Sequence, residues 1–526
     1  MSFYQNAVRD ERVREYIPSN RILAQENAFN PEIWIGNTNI QPAIASLPYG
    51  TIGKGGSVLL DFGIELHGGI RIVILNGEGK IRVRFGESVG EASGTPNQDH
   101  AIHNEELHVP RWGMMEYGNT AFRFVRIDNI GDSDLPILNI IAVALFRDLE
   151  YAGSFESSDE RLNRIWKTAA YTLQLNMQDY IYDGAKRDRL VWMGDMHPEI
   201  RGILAAFKDT SLIRKSLEFL VSITPLPNPM NNINTYSCWW VISLADYYRV
   251  TGDFEYIDRN REYLIHLLKL YSTYISSDGT ECIPERRFLD WPNNDNPAAK
   301  HAGLQGLLFW MFRAGEELLN SLGCDASFAA EARNLLKQHI PDCGENKSAA
   351  ALQTVSGLAD RSEVVQHDPF NGVSTFYGFY MLLAQPTVPA MELIRRYWGA
   401  MLDRGATTFW EDFNLAWLEN SGRIDEFTPD GKLDLHADFG AYCYKGLRHS
   451  LCHGWSCGPM PFLSERVFGI RFLEPGGKKV AIHPDLGDLE YAAVSYPTRY
   501  GNIRVETDRS GKKKIDAPAE VEIVTP

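Results

Sequence analysis

The chain has 526 residues, 44% hydrophobic and 23% charged, a balance that excludes whole-chain disorder and predicts several domains. Its 52 Lys and Arg against 68 Asp and Glu leave a formal net charge of -16, which argues against nucleic acid and against an anionic membrane surface as partners. No run of about 18 apolar residues marks a membrane span, and the opening MSFYQNAVRDERVREY lacks the apolar stretch of a signal peptide, so a cytoplasmic protein is expected.

Residues 1–152 read as an N-terminal β-sandwich. Ile81, Val83 and Phe85 alternate with Arg82 and Arg84, the period-two pattern of a half-buried strand. Phe122, Phe124 and Val125 mark a second strand, and Ile137, Ile140, Ile141, Val143 and Leu145 a third. Glycine-rich breaks at 53–56, 68–69 and 77–79 punctuate them.

The texture changes near Ser154. Ser157 with Glu160 three residues on is a capping-box signature, and the periodic Leu162, Ile165, Trp166 and Ala169 predict a helix behind it. Helical periodicity continues through 203–207, 212–220, 256–274, 302–322, 329–339 and 391–402. About 300 residues of paired helices exceed a simple bundle, and no fixed-period repeat supports a solenoid, so residues 153–461 are read as an (α/α)6 barrel. Residues 462–526 return to short β-like runs, with Lys512, Lys513 and Lys514 in a solvated hairpin turn, and are read as a small C-terminal β-domain.

Seven scattered cysteines without a CxxC suit a reducing compartment. His449, Cys452, His453 and Cys457 resemble a zinc set, but Gly454, Gly458 and Pro459 interrupt the segment and no second ligand pair accompanies it, so no metal is expected.

The densest chemical signal is DGAKRDRLVWMGDMHPEIR, residues 183–201. Asp183, Asp188, Asp195 and Glu199 are interleaved there with Lys186, Arg187, Arg189 and Arg201, beside Trp192 and His197. Carboxylates that accept from hydroxyls, guanidinium groups that hold them and an indole face suit a sugar ring. An ion-paired structural loop is the competing reading. GATTFWE, residues 405–411, puts Glu411 beside aromatic residues, where partial burial tunes a carboxylate. Two carboxylates from separate segments are what glycoside hydrolysis needs. Asp290 and Trp291, in the polar loop LDWPNNDN, are further sugar-contact candidates.

Residues 183–195 resemble the signature of glycoside hydrolase family 78, the α-L-rhamnosidases, which reads roughly D-C-P-x-R-(D)-E-R-x-x-W-x-G-D. Asp183, Arg187, Trp192, Gly194 and Asp195 match, and Asp188 stands at the family's acid Glu. GATTFWE is similar to the family's G-A-T-T-x-W-E, and SLCH at 450–453 to its S-F-N-H. LLDFGIELHGGIRI and FRFVRI resemble the β-sandwich before the barrel, so the likeness runs from about residue 57 to 490.

The resemblance implies an inverting hydrolase that removes terminal α-L-rhamnose or a related sugar, with carbohydrate and water as its partners and no cofactor. Asp188 would be the general acid and Glu411 the general base. Asp183, Arg187, Trp192, Asp195 and His453 would bind the sugar. Gly184-Ala185 replaces Cys-Pro, and His197-Pro198-Glu199 replaces small and amide residues, which makes Glu199 and His197 alternative acids. Two other functions compete: a lyase or isomerase on the same barrel, which would need a Tyr or His rather than Glu411, and a carbohydrate-binding protein without activity.

Overall fold

The computed structural model describes residues 7–43, 46–95 and 100–525, without the side chain of Cys443. The first six residues of the opening segment lie outside that set.

The N-terminal part is one sheet of seven strands: β1 (Val13–Pro18), β2 (Arg21–Phe29), β3 (Gly50–Ile74), β4 (Gly79–Gly86), then a short helix α1 (Val89–Ser93), β5 (Asn104–Val109), β6 (Gly113–Asn129) and β7 (Leu135–Phe146). The order is β1-β7-β3-β6-β4-β5, with β2 on β3, and every pair is antiparallel except β3 with β7. The three expected strands are present, as β4, β6 and β7, but β4 is not half-buried: Arg84, expected on the outer face, is buried at 1% exposure because α1 covers that face and its Glu91 carbonyl accepts from the guanidinium. The inward residues of the three strands, among them Ile81, Val83, Phe122, Val125, Ile137 and Ile140, form a core of their own.

Next come β8 (Ser154–Ser157) and α2 (Glu160–Asn176). The cap of α2 is Asp159, whose carboxylate accepts from the amides of Arg161 (2.9 Å) and Leu162 (3.2 Å); Ser157, the expected cap, instead binds Asp159. The chain then alternates outer and inner helices: α3 (Met193–Ala206), α4 (Ser211–Ile223), α5 (Asn234–Thr251), α6 (Phe254–Arg259), α7 (Arg261–Ser272), α8 (Pro297–Ser321), α9 (Ser327–Leu336), α10 (Lys347–Ser356), α11 (Ser362–Gln366), α12 (Gly378–Leu383), α13 (Thr387–Leu393) and α14 (Gly399–Asp403). The helix expected over 256–274 is two helices, hinged at Asn260.

Burial separates the two rings. From Asn234 to Tyr247 every residue of α5 is buried, and α8 is buried on nearly all sides, as an inner helix must be. In contrast, α4 and α7 bury one stripe each. Contacts run α3 to α5, α5 to α8, α8 to α10 and α10 to α12, and the short helical turns at 454–461 close the circle between α12 and α3. Six inner members paired with outer helices make the (α/α)6 barrel.

Beyond it, β9 (Arg471–Phe472), β10 (Lys479–Ala481), β11 (Tyr491–Thr498), β12 (Gly501–Asp508), β13 (Lys513–Asp516) and β14 (Glu522–Val524) form two small sheets. One has the order β13-β12-β11-β8, so the strand just before the barrel is stitched into the last sheet. Of the three lysines expected in the β12–β13 turn, Lys512 lies there after Gly511, while Lys513 and Lys514 belong to β13, paired with Thr507 and Glu506. No described helix is long and apolar enough to cross a membrane.

Candidate functional site

The inner helices present their N-termini at one end of the ring, and two long connections meet there: residues 177–192 before α3, and 404–453 before the last inner turn. Trp192 is the residue before α3, Asp195 lies in its first turn, and Asp290 lies a few residues ahead of α8.

The two segments are sewn together by their backbones. The Gly454 amide donates to the Asp183 carbonyl (2.8 Å), the Ala185 amide to the Cys452 carbonyl (3.1 Å) and the His453 amide to the Phe409 carbonyl (2.9 Å). Asp183, Asp195 and Glu411 thereby converge on one histidine. His453 Nε2 stands 3.9 Å from Asp183 Oδ2, 4.0 Å from Asp195 Oδ1 and 3.8 Å from Glu411 Oε1.

Arg187 ties the expected acid to the expected base. One guanidinium nitrogen lies 3.2 Å from Asp188 Oδ1 and the other is hydrogen-bonded to Glu411 Oε1, while Nε donates to the Arg448 carbonyl (3.0 Å). The two carboxyls differ in surroundings. Glu411 is buried, whereas the Asp188 side chain is 35% exposed. Asp188 and Arg189 both adopt left-handed backbone, φ 53 and φ 51. Two adjacent non-glycine residues in that region store strain, as functional turns commonly do.

Burial dominates the titration of this cluster. It pushes Glu411 up to about 7, against the opposing pull of Arg187 and the Ser450 amide. Asp183 and Asp195 are raised well above the usual carboxylate range, first by burial and then by the neighbouring acids. Burial also holds His453 neutral, with its pKa far below the ordinary histidine value. Neutral Asp183 and Asp195 can donate as well as accept hydrogen bonds, which suits sugar hydroxyls.

Around the cluster, Trp192 meets Tyr236 edge-to-face at 6.1 Å, and the Tyr236 hydroxyl reaches Asp195 Oδ2 at 3.4 Å. Tyr236 was not among the expected residues; its signal, an aromatic near the start of an inner helix, is shared by many core rings. A cleft of about 960 Å³ adjoins the cluster on the side of Asp412 and is lined by Asp290, Asp412, Trp417, Phe439 and Tyr442. Burial raises Asp290 to about 6 and Asp412 to about 7. The ring of Trp291 stacks on Tyr442 at 5.9 Å near the same cleft.

Both ring nitrogens of His197 are engaged away from the cluster, Nδ1 by the Tyr380 hydroxyl (2.9 Å) and Nε2 by Asp246 (3.2 Å), between the rings of Trp239 and Tyr380. Glu199 is fully buried with neither carboxyl oxygen hydrogen-bonded, and burial and then Asp195 and Asp183 push its pKa far up. The four residues of the apparent zinc set do not share a centre: His449 Nε2 accepts from the Asp412 amide (2.8 Å) and Cys457 Sγ donates to the Ala169 carbonyl (3.3 Å).

Among the described residues the groups best spaced for a metal are Glu87, Glu91 and His436, whose ligand atoms lie within 4.8 Å of one another. A protein ammonium, Lys186 Nζ, already sits 3.1 Å from each glutamate, and both nitrogens of His436 are engaged, by Ser88 Oγ (2.8 Å) and the His449 carbonyl (2.7 Å).

Residues 150–305 match the family described as the bacterial alpha-L-rhamnosidase 6 hairpin glycosidase domain. An alpha-L-rhamnosidase of Alteromonas sp. (strain LOR) is 23% identical over 523 residues, covering 85% of this chain and 53% of that protein. The fold is similar to the family 78 rhamnosidase of Bacillus sp. GL1 (TM-score 0.72, 20% identity, 92% of this chain and 55% of that one). It is also similar to a rhamnose-bound rhamnosidase from Klebsiella oxytoca (TM-score 0.69, 19% identity, 87% and 96%). The chain spans about half the length of the curated relatives it matches. The likeness to glycoside hydrolase family 78 thus extends from the motifs to the fold.

Proposed function

We propose that the chain is an inverting glycoside hydrolase that removes terminal α-L-rhamnose, or a closely related sugar, from a glycoside. The observation that carries this reading is Arg187, whose guanidinium holds a partly exposed carboxyl, its neighbour Asp188, and a buried one, Glu411, 224 residues further along the chain from Arg187. That the relatives with matching fold and motifs are named as rhamnosidases supports the substrate class.

In this reading Glu411, ionised, takes a proton from a water whose oxygen attacks the anomeric carbon. The glycosidic C–O bond breaks on the opposite ring face, and Asp188 delivers its proton to the departing oxygen. One water accounts for inversion, and the two carboxyls need a separation of roughly 6.5–9.5 Å to admit it. Asp183, Asp195 and His453 bind sugar hydroxyls, and Arg187 orients both working carboxyls. Trp192 covers an apolar sugar face, and Asp290 and Trp291 contact the sugar from the cleft. Carbohydrate and water are then the only partners the chemistry requires.

The domain division that goes with this reading is 1–152, 153–461 and 462–526. A cytoplasmic setting accords with the six described cysteines, all of them free. The test is release of nitrophenol from aryl α-L-rhamnoside set against other aryl glycosides. Turnover of the rhamnoside is expected; its absence while other glycosides are cleaved would overturn the sugar assignment, and no cleavage of any would overturn the hydrolase.

A further inference from the structure

Lys186 is almost wholly buried, at 1% exposure, and it precedes Arg187 in the loop that carries Asp188. Its ammonium lies 3.1 Å from Glu87 Oε2 and 3.1 Å from Glu91 Oε1, both fully buried and both from the β4–α1 corner of the N-terminal sheet. It also donates to the carbonyls of Leu447 (2.9 Å) and His449 (2.7 Å), on the segment that leads to Ser450. Three structural parts therefore meet at one nitrogen.

Glu87 reaches past Lys186 to the base. It accepts from the Leu451 amide (2.6 Å) and the Ser450 hydroxyl (3.2 Å), and the Ser450 amide in turn donates to Glu411 Oε2 (3.0 Å). Glu91 fixes the corner itself, accepting from the Glu87 amide (2.9 Å), while its own amide donates to Ser88 Oγ (3.0 Å). The sheet grips the same loop by its backbone too: Thr120 Oγ1 (3.3 Å) and His103 Nε2 (3.0 Å) both meet the Lys186 carbonyl, and Arg189 is bonded to the Asn119 carbonyl. Asp188 thus lies between two residues anchored to the sheet, which is how a left-handed backbone is held there.

Resting on the hydrolase reading above, we infer that Lys186, Glu87 and Glu91 are positioning residues, through which the N-terminal sheet sets the placement of both working carboxyls. A buried cation bound to two carboxylates and two carbonyls is rigid because every alternative leaves a buried charge unpaired. Burial keeps Glu65 nearby protonated and the rings of His436 and His449 neutral, so these neighbours add no charge, while a second buried cation, Arg84, donates to the Glu91 carbonyl and fixes the same corner. The sheet is then a working part of the site rather than an accessory module.

The test compares Lys186→Met with the double variant Lys186→Met/Glu91→Gln, which removes one of the two buried carboxylates left without their cation and keeps Glu87, whose partners Leu451 and Ser450 remain. Each is measured for kcat and KM on aryl α-L-rhamnoside across pH, for thermal midpoint, and by crystallography. Lys186→Met is expected to lower kcat by roughly 100-fold, in the range of a lost general acid or base. KM should change little, and the acid limb should move to higher pH by roughly half a unit because a cation near Glu411 is gone. The double variant is expected to recover thermal stability while kcat stays low. Recovery of kcat together with stability, or wild-type kcat in Lys186→Met, would overturn the inference and leave a structural ion pair. If the wild-type protein itself cleaves no glycoside, the hydrolase reading fails separately. The Lys186→Met crystal structure then decides: Arg187 and Glu411 in unchanged positions would overturn the positioning role, and displaced ones would sustain it.

Discussion

Glu411 and Ser450 hold each other reciprocally. The Glu411 amide donates to the Ser450 carbonyl at 2.9 Å, and the Ser450 amide donates to Glu411 Oε2 at 3.0 Å. With Arg187 on Oε1, the carboxylate is fixed at both oxygens before any substrate arrives. Such prior ordering is what a base aimed at one water requires.

Glu411→Gln keeps the shape of the side chain and removes the base. Turnover is expected to fall by about 1,000-fold or more, within the range of general-base catalysis, while L-rhamnose binding measured by calorimetry stays within a few-fold of wild type. Near-normal turnover would remove Glu411 from the chemistry.

Asp188→Asn tests the acid. Substrates with poor leaving groups need proton delivery and activated aryl glycosides need far less, so the variant is expected to lose much more activity on natural rhamnosides than on nitrophenyl ones. Equal losses on the two classes would count against Asp188.

Glu199 offers the contrasting case. A fully buried carboxyl with neither oxygen paired costs about 1–3 kcal/mol, and an apolar side chain of similar length would relieve that. Glu199→Met is expected to raise the thermal midpoint and keep turnover. Loss of turnover in a stable variant would transfer the acid role to Glu199.

The pH dependence follows from burial. Glu411 must be ionised to act and its pKa is pushed up to about 7, so kcat/KM is expected to rise as pH increases through about 7. The stability effect has the opposite sign. Asp290, raised from 3.8 to about 6, binds its proton more tightly in the folded chain, so it contributes most to stability below about pH 4 and loses that contribution as pH rises through 6. The stability gap between Asp290→Asn and wild type should therefore move by roughly 2 kcal/mol in favour of the variant between pH 4 and pH 8. A gap independent of pH, measured by denaturant titration, would contradict the buried, proton-binding state of Asp290.

Local pattern revealed what local physics controls. The alternation of Ile81, Val83 and Phe85 reports a strand because those side chains enter the core of the sheet, and the apolar run over 302–322 reports α8 because that helix is buried on nearly all sides. Finer choices escaped it. Asp159 and Ser157 are both good cap residues, and only the strand pairing of 154–157 with β11 decides between them. The meeting of Asp183, Asp195 and Glu411 at His453 was readable through the motif resemblance alone, since no spacing along the chain encodes a contact across the barrel. Glu87 and Glu91 were invisible for the same reason: Glu91 meets its lysine 95 residues away, and two glutamates near a strand end look like ordinary surface charge.

The most direct test of the account is proton NMR of the first sugar released from an aryl α-L-rhamnoside, recorded before mutarotation. A base and an acid on opposite ring faces, acting through one water, predict that β-L-rhamnose appears first and the α anomer grows in later. Initial release of α-L-rhamnose would contradict the pairing of Glu411 with Asp188.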